Sequence, residues 1–131
     1  MDAPTMVRRL ADATGLDREH AERALRATLV TLGTRIDPGE ADDLAAQLPD
    51  PYAACLRHEW KAERFPPDEF QRRIVHLVPL TNEQARSEIR ACFALLGEAV
   101  SEGELEQVRA QLAENYSGLV GMPTGAAAHS A

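Results

Sequence analysis

The sequence repeats itself, and the repeat limits the folds open to it more than any other feature. Residues 6–56 align without a gap on residues 70–120, a shift of 64 positions, and 15 of the 51 pairs are identical. The identical pairs are Arg8/Arg72, Arg9/Arg73, Leu16/Leu80, Glu19/Glu83, Ala21/Ala85, Arg26/Arg90, Ala27/Ala91, Leu32/Leu96, Gly33/Gly97, Gly39/Gly103, Glu40/Glu104, Ala46/Ala110, Gln47/Gln111, Leu48/Leu112 and Tyr52/Tyr116. Such a period predicts two copies of one supersecondary unit.

Hydrophobic spacing predicts that each copy is helical. Apolar residues recur three and four positions apart along the second helix of each copy, which puts them on one helical face. They are Leu25, Leu29, Leu32 and Ile36 in the first copy, and Ile89, Phe93, Leu96 and Val100 in the second. The first two helices of each copy are predicted at 5–14 and 17–35, and at 68–78 and 81–99. A third helix follows from Asp37 or Ser101, and then a short turn of helix at Tyr52 or Tyr116.

The predicted fold is therefore an all-α helical bundle, built from two tandem copies of a three-to-four-helix unit related by a pseudo-two-fold axis. One copy alone would be only marginally stable, so the copies are expected to share one core, and two independent units are the alternative. Residues 1–120 are predicted to form a single all-α domain, with repeat 1 at about 6–56, a charged linker at 57–67 and repeat 2 at about 70–120. Residues 121–131 are rich in Gly, Ala and Ser and are predicted to be a disordered tail. Gln47 and Gln111 are expected to hold the turn after the third helix.

Charge and cysteine content narrow the partners and the compartment. A net charge of −7 argues against nucleic-acid binding, which depends on a surplus of Lys and Arg facing phosphates. No apolar run has the length of a membrane span or the form of a signal peptide. The two cysteines, Cys55 and Cys92, make no disulfide framework and indicate a reducing, cytoplasmic setting. The sequence leaves monomer and homodimer open.

One pair of residues resembles part of a metal site. Cys55 and His58 lie three residues apart and would share a helical face. The second copy has Leu119 and Met122 at the equivalent positions, so the pair has no counterpart. The serines carry no nucleophile motif and the glycines no phosphate-binding pattern. We therefore predict no catalytic residue, no cofactor and no metal ligand.

Several short segments resemble a known family. They are Gly15-Leu16-Asp17-Arg18-Glu19-His20-Ala21-Glu22-Arg23-Ala24, Gly39-Glu40-Ala41, Ala45-Ala46-Gln47-Leu48-Pro49, Val100-Ser101-Glu102-Gly103-Glu104-Leu105 and Arg109-Ala110-Gln111-Leu112. Over about residues 5–120 the chain is similar to the bacterial group known as domain of unknown function 2267. The resemblance implies a small, helical, cytoplasmic protein, and it supplies no catalytic residues to transfer.

These observations favour a non-catalytic protein-interaction module, an adaptor or regulatory protein. Both third helices are acidic, and we expect them to dock a basic segment of an unidentified protein partner. The candidate surface consists of Asp42, Asp43, Asp50, Glu106 and Glu114. Glu40 and Glu104 are instead explained by the dipole of the first helical turn. The alternative is a small-molecule or metal-dependent helical enzyme with its site at the seam between the repeats, which a pocket with convergent polar groups there would favour.

Overall fold

A computed structural model describes residues 1–129, except for the side chain of His129. It contains eight α-helices: α1 (Ala3–Thr14), α2 (Arg18–Arg35), α3 (Pro38–Ala45), α4 (Tyr52–Leu56), α5 (Pro67–Leu77), α6 (Asn82–Ala99), α7 (Glu102–Gln111) and α8 (Ser117–Val120). Two 3-10 segments, Glu114–Tyr116 and Gly125–His129, complete it. Helix accounts for 73% of the residues and no strand occurs in the described part, which confirms the predicted all-α class.

Capping residues explain why the helices begin and end where the sequence predicts. The carboxylate of Asp2 accepts a hydrogen bond from the backbone N–H of Thr5 at 2.9 Å, and α1 ends at Gly15, whose φ of 78° is left-handed. Asp17 caps α2 in the same way. Thr81 and Gln84 form a full capping box on α6. Each cap satisfies backbone groups that a helix end otherwise leaves without partners.

The two long helices occupy the centre of the bundle. Helices α2 and α6 contact each other, and α1 and α5 each contact both of them. Helix α3 packs on α7, while α4 crosses α2. At that crossing a Cβ on Gly33 would clash with the carbonyl oxygen of Leu56, so the close approach requires glycine. The largest fully buried side chains come from both halves and form one cluster: Met6, Leu10, Leu25, Leu29, Leu32, Ile36, Leu44, Tyr52, Leu56, Phe70, Phe93 and Tyr116.

Two glutamines join the halves at the seam between α3 and α7. The Oε1 of Gln47 accepts a hydrogen bond from the backbone N–H of Ser101 at 2.7 Å. The Oε1 of Gln111 accepts one from the backbone N–H of Asp37 at 2.8 Å. The two glutamines, which were predicted to hold the turn after the third helix, each bind the start of the third helix in the other half.

A buried arginine holds the linker between the halves. Arg35, in the last turn of α2, is only 4% exposed. Its Nε donates to the backbone oxygen of Phe65 at 2.9 Å and to the hydroxyl of Tyr116 at 3.2 Å, and a terminal nitrogen donates to the backbone oxygen of Gln111 at 3.2 Å. The Tyr116 hydroxyl donates in turn to the Phe65 oxygen at 2.6 Å. Linker, α2 and the C-terminal segment therefore meet at one guanidinium.

The C-terminal segment differs from the predicted disordered tail as far as residue 129. Thr124 is fully buried, and its hydroxyl donates to the backbone oxygen of Ala113 at 2.7 Å. Gly125 has a φ of 64° and approaches Glu114 closely, and Ala128 is buried. The 3-10 segment packs on α7, because the threonine supplies a hydrogen bond and the alanine an apolar contact that composition alone does not reveal. Residues 130–131 lie outside the described part.

None of the helices within residues 1–129 combines the length and the apolar character needed to cross a membrane.

Candidate functional sites

Three carboxylates converge where α3 packs on α7. Glu40 and Asp43 lie on α3, and Glu104 lies in the first turn of α7. One oxygen from each of the three residues can be chosen so that all lie within 4.8 Å of one another. Glu40 and Glu104 occupy equivalent repeat positions, so a residue of one half meets its own counterpart. We call Glu40, Asp43 and Glu104 the seam cluster.

The seam cluster concentrates negative charge in a partly dry environment. Glu104 is only 8% exposed, and one carboxylate oxygen each of Glu40 and Glu104 is buried without a hydrogen-bond partner in the described part of the chain. Burial and the neighbouring carboxylates of Glu40 and Asp43 raise the pKa of Glu104 to about 8. The cluster therefore gains stability from anything that neutralises it, a proton or a cation.

A second feature is an open cleft of about 810 Å³ between α5, α6 and α8. Its lining residues are Pro67, Asp68, Gln71, Arg72, Val75, Asn82, Arg86, Arg90, Gly118 and Leu119. Its volume falls in the range of ligand-binding clefts. Three arginines against a single aspartate make the wall basic, although the whole chain is acidic. We call this feature the arginine cleft.

The three arginines of the cleft differ in how they are held. Arg72 pairs with Asp68 and Glu69 on its own helix. Arg90 donates to the backbone oxygen of Gly118 at 2.8 Å. Arg86 is exposed, and no acidic side chain within residues 1–129 forms an ion pair with it. Two guanidinium groups, those of Arg86 and Arg90, are thus free of carboxylate partners in the described structure.

In the first half, the arginine equivalent to Arg90 is neutralised by a carboxylate. Arg26, the counterpart of Arg90, forms an ion pair with Glu22, and Glu22 also accepts a hydrogen bond from the Tyr52 hydroxyl at 3.1 Å. Glu22 is the counterpart of Arg86. The substitution of arginine for glutamate at this repeat position is what leaves the cleft of the second half basic.

A comparison with family models matches residues 4–119 to a family described as uncharacterized conserved protein (DUF2267). The match runs from α1 into α8 and so includes both halves. The chain belongs to this family. A search of curated proteins finds no match. The DUF2267 description names no activity.

The structure places the five predicted partner-surface residues of this DUF2267 chain in different surroundings. Asp43 alone belongs to the seam cluster. Asp42 is exposed and lies 3.9 Å from Arg57. Asp50 and Glu114 are exposed as well, whereas Glu106 is half-buried. Glu40 and Glu104, which sequence reasoning assigned to the helix dipole, are the residues that meet. Their identity at equivalent positions was the available signal, since such residues can face each other across a seam.

Cys55 and His58 of this DUF2267 chain are held in separate contacts. The Cys55 thiol is half-buried, and burial raises its pKa. His58 is half-buried, and its Nε2 lies 3.2 Å from the backbone oxygen of Ile36. The His58 ring therefore lies against the end of α2, where Ile36 is the residue that follows the helix.

Sequence reasoning missed a fully buried carboxylate in the DUF2267 core. Glu88 on α6 is 0% exposed, and the Thr28 hydroxyl of α2 lies 2.7 and 3.0 Å from its two oxygens. Burial raises the pKa of Glu88 to about 8, although the Thr28 hydrogen bond acts in the opposite direction. A detectable signal existed: Glu88 follows Ala85 by three residues and precedes Cys92 by four, on the apolar face.

Proposed function

We propose that the protein is a non-catalytic protein-interaction module, an adaptor or regulatory protein, whose arginine cleft receives an acidic segment of a partner protein. The observation that carries this proposal is the pair Arg86 and Arg90, which line a large cleft without carboxylate partners in the described structure. A guanidinium presents several N–H donors in a planar fork that fits a carboxylate. Glutamate or aspartate side chains of a bound segment would supply the missing partners.

The walls of the cleft suit a peptide chain. Val75 and Leu119 provide apolar surface beside the arginines, and protein interfaces combine buried apolar contacts with arginine in this manner. The equivalent region of the first half lies near Arg18, Glu19, Glu22 and Arg23, where two arginines face two glutamates. Charge complementarity therefore favours the second half as the binding half.

The proposal predicts a specific effect of Arg86→Glu. This change copies the residue at position 22 into the second half, where the new carboxylate should pair with Arg90 as Glu22 pairs with Arg26. We expect affinity for a fluorescent glutamate-rich peptide to fall by about tenfold or more. The attractive charge of Arg86 is replaced by a repulsive carboxylate, and that carboxylate neutralises Arg90. Fluorescence anisotropy at two salt concentrations measures this, and wild-type binding should weaken with salt.

The matched control is Arg23→Glu, an equal charge change on an exposed arginine of the first half. It should bind the glutamate-rich peptide about as well as the wild type. Equal affinities of wild type and Arg86→Glu would contradict the proposal. So would tighter binding of a single-stranded oligonucleotide than of the peptide, because we propose a protein partner and no nucleic acid.

The acidic surface predicted from the sequence remains a second candidate for contact with a basic partner. Reversing Asp42, Asp43 and Glu106 to lysine should abolish capture of partners from a native cell lysate, as measured by mass spectrometry, with helicity nearly unchanged. Because Asp43 also belongs to the seam cluster, Asp43→Asn serves as the control that separates charge reversal from loss of the cluster. Capture of the same partners by the triple variant would eliminate this surface.

The proposal includes the arrangement of the chain as two tandem copies about a pseudo-two-fold axis. The exchange of Gln47 and Gln111 between the third helices supports it, since equivalent residues make reciprocal contacts across a two-fold axis. It also includes a cytoplasmic location, which the free thiols of Cys55 and Cys92 support.

The alternative function, a small-molecule or metal-dependent helical enzyme with its site at the seam, draws on one observation. The carboxylates of Glu40, Asp43 and Glu104 meet between the halves, as such a site would require. Binding of a metal there is a separate question from catalysis.

A further inference from the structure

We propose that the seam cluster is a binding site for a hard divalent cation of the Mg²⁺ or Ca²⁺ type, with Glu40, Asp43 and Glu104 as its protein ligands. This inference is independent of the interaction function, since the arginine cleft is formed by other helices. It rests on the position, burial and bonding of three side chains.

The first observation is convergence. One carboxylate oxygen from each residue lies within 4.8 Å of the other two. Oxygens that bind the same Ca²⁺ each lie 2.3–2.6 Å from it, so oxygens at this spacing can share one ion after small side-chain rotations. Two of the ligands come from α3 and the third from α7, and both helices are held at this point by the Gln47–Ser101 hydrogen bond.

The second observation is a buried carboxylate oxygen that has no hydrogen-bond partner among the described residues. Glu104 is more than nine-tenths buried, and its Oε2 has no hydrogen-bond partner within residues 1–129. Oε2 of Glu40 is also buried and has no hydrogen-bond partner in the same part of the chain. Buried polar groups are nearly always hydrogen-bonded, and a buried carboxylate needs a counter-charge. The unsatisfied oxygens therefore point to a ligand of positive charge.

No cationic side chain of the described residues supplies that charge. In the described part of the chain, neither arginine, lysine nor histidine forms an ion pair with Glu40, Asp43 or Glu104. Asp42, the residue before Asp43 in the sequence, does have such a partner, Arg57. An ordinary surface cluster of carboxylates is spread out or interspersed with cations, whereas this one is compact and has none.

The donor set selects the class of cation. All three ligands are carboxylate oxygens, which suit Mg²⁺ and Ca²⁺, whereas zinc and copper favour imidazole and thiolate. Asp43 is exposed and Glu40 half-exposed, so water molecules can complete the coordination from the solvent side. A bound ion would join the two halves and add to the contacts between α3 and α7.

The test is isothermal titration calorimetry on chelator-treated full-length protein, with CaCl₂ and MgCl₂ in separate arms. We expect about one ion per chain in at least one arm, accompanied by a rise in Tm, because a ligand that binds only the folded state stabilises it. Glu104→Gln and Asp43→Asn should each weaken that binding by about tenfold or more, since affinity follows the number of charged ligands. Glu104→Gln keeps the size of the side chain, so the fold should survive.

The matched control is Glu102→Gln, which removes one charge from an exposed residue of the same helix turn. It should bind the ion as the wild type does. Absence of binding in both arms at millimolar cation would overturn the proposal. Equal weakening in Glu102→Gln and Glu104→Gln would also overturn it, because that result indicates screening of diffuse charge instead of a defined site.

Discussion

Replacing Glu88 by glutamine is expected to stabilise the protein at pH 8–9 and to have little effect near pH 5. The pKa of Glu88 is raised to about 8 by burial, whereas a carboxyl group in the unfolded chain titrates near 4.3. Between these values the folded state holds a proton that the unfolded state has released. Stability from this group is therefore fully present below the unfolded pKa and is lost as pH rises through the folded pKa.

The size of the effect follows from the pKa difference. One unit corresponds to about 1.4 kcal/mol, so full ionisation of Glu88 in the core costs on the order of 5 kcal/mol. Glutamine has nearly the same shape and no charge, and the Thr28 hydroxyl can bond to its amide. The Cys92 thiol beside Glu88 does not offset the cost of ionising Glu88. This thiol is fully buried, and burial together with the charge of Glu88 raises its pKa.

Urea unfolding of wild type and Glu88→Gln in chelator-containing buffers from pH 5 to pH 9 measures the difference. The free-energy gap should open with pH and level off above about pH 8. Glu83→Gln, an exposed change on the same helix, should retain the wild-type pH dependence. Glu104 also has a raised pKa, so it contributes to the pH dependence of the unfolding free energy in the same range. Glu88→Gln should therefore remove only part of the wild-type pH dependence. A gap that is constant from pH 5 to pH 9 would show that Glu88 is not buried as described.

Removing the Arg35 side chain is expected to be the most damaging change at neutral pH. Arg35→Ala deletes three hydrogen bonds from a charged donor and a contact with the Tyr116 ring, whose centre lies 5.0 Å away. It also leaves a cavity among buried groups. Hydrogen bonds involving a charged group contribute about 1.5–3 kcal/mol each when buried, but they are not additive. We expect a loss of about 3 kcal/mol in the free energy of unfolding.

Chemical denaturation of Arg35→Ala, Tyr116→Phe and Arg23→Ala separates the contributions at this point. Tyr116→Phe removes only the hydroxyl, which donates to Phe65, and should cost about 1 kcal/mol. Arg23→Ala changes an exposed arginine of the same helix and should stay within about 0.5 kcal/mol of the wild type. An Arg35→Ala variant as stable as Arg23→Ala would mean that the linker is not held by this guanidinium.

The helices themselves were determined by the local sequence. Apolar residues spaced three and four apart define one face of each helix, and Asp17 and Thr81 define where α2 and α6 begin, because caps and periodicity depend only on residues within one or two turns. The observed bounds of α2 and α6 differ from the predicted ones by one residue at the start. The sequence also shows that one repeat position carries opposite charges in the two halves, with Glu22 in the first and Arg86 in the second.

Tertiary structure decided which faces meet, and the candidate sites follow from that choice. An apolar stripe can pack on any other stripe of similar width, so spacing along the chain did not indicate that α3 would lie on α7 or that Gln47 would reach Ser101. Glu40 and Glu104 looked like ordinary first-turn residues until the seam placed their carboxylates side by side. Glu88 is buried because α2 covers its face of α6. Arg86 has no ion pair in the described structure, because Asp68, the one acidic residue of the cleft wall, pairs with Arg72. Each of these properties depends on residues distant in sequence, and only the packed chain brings them together.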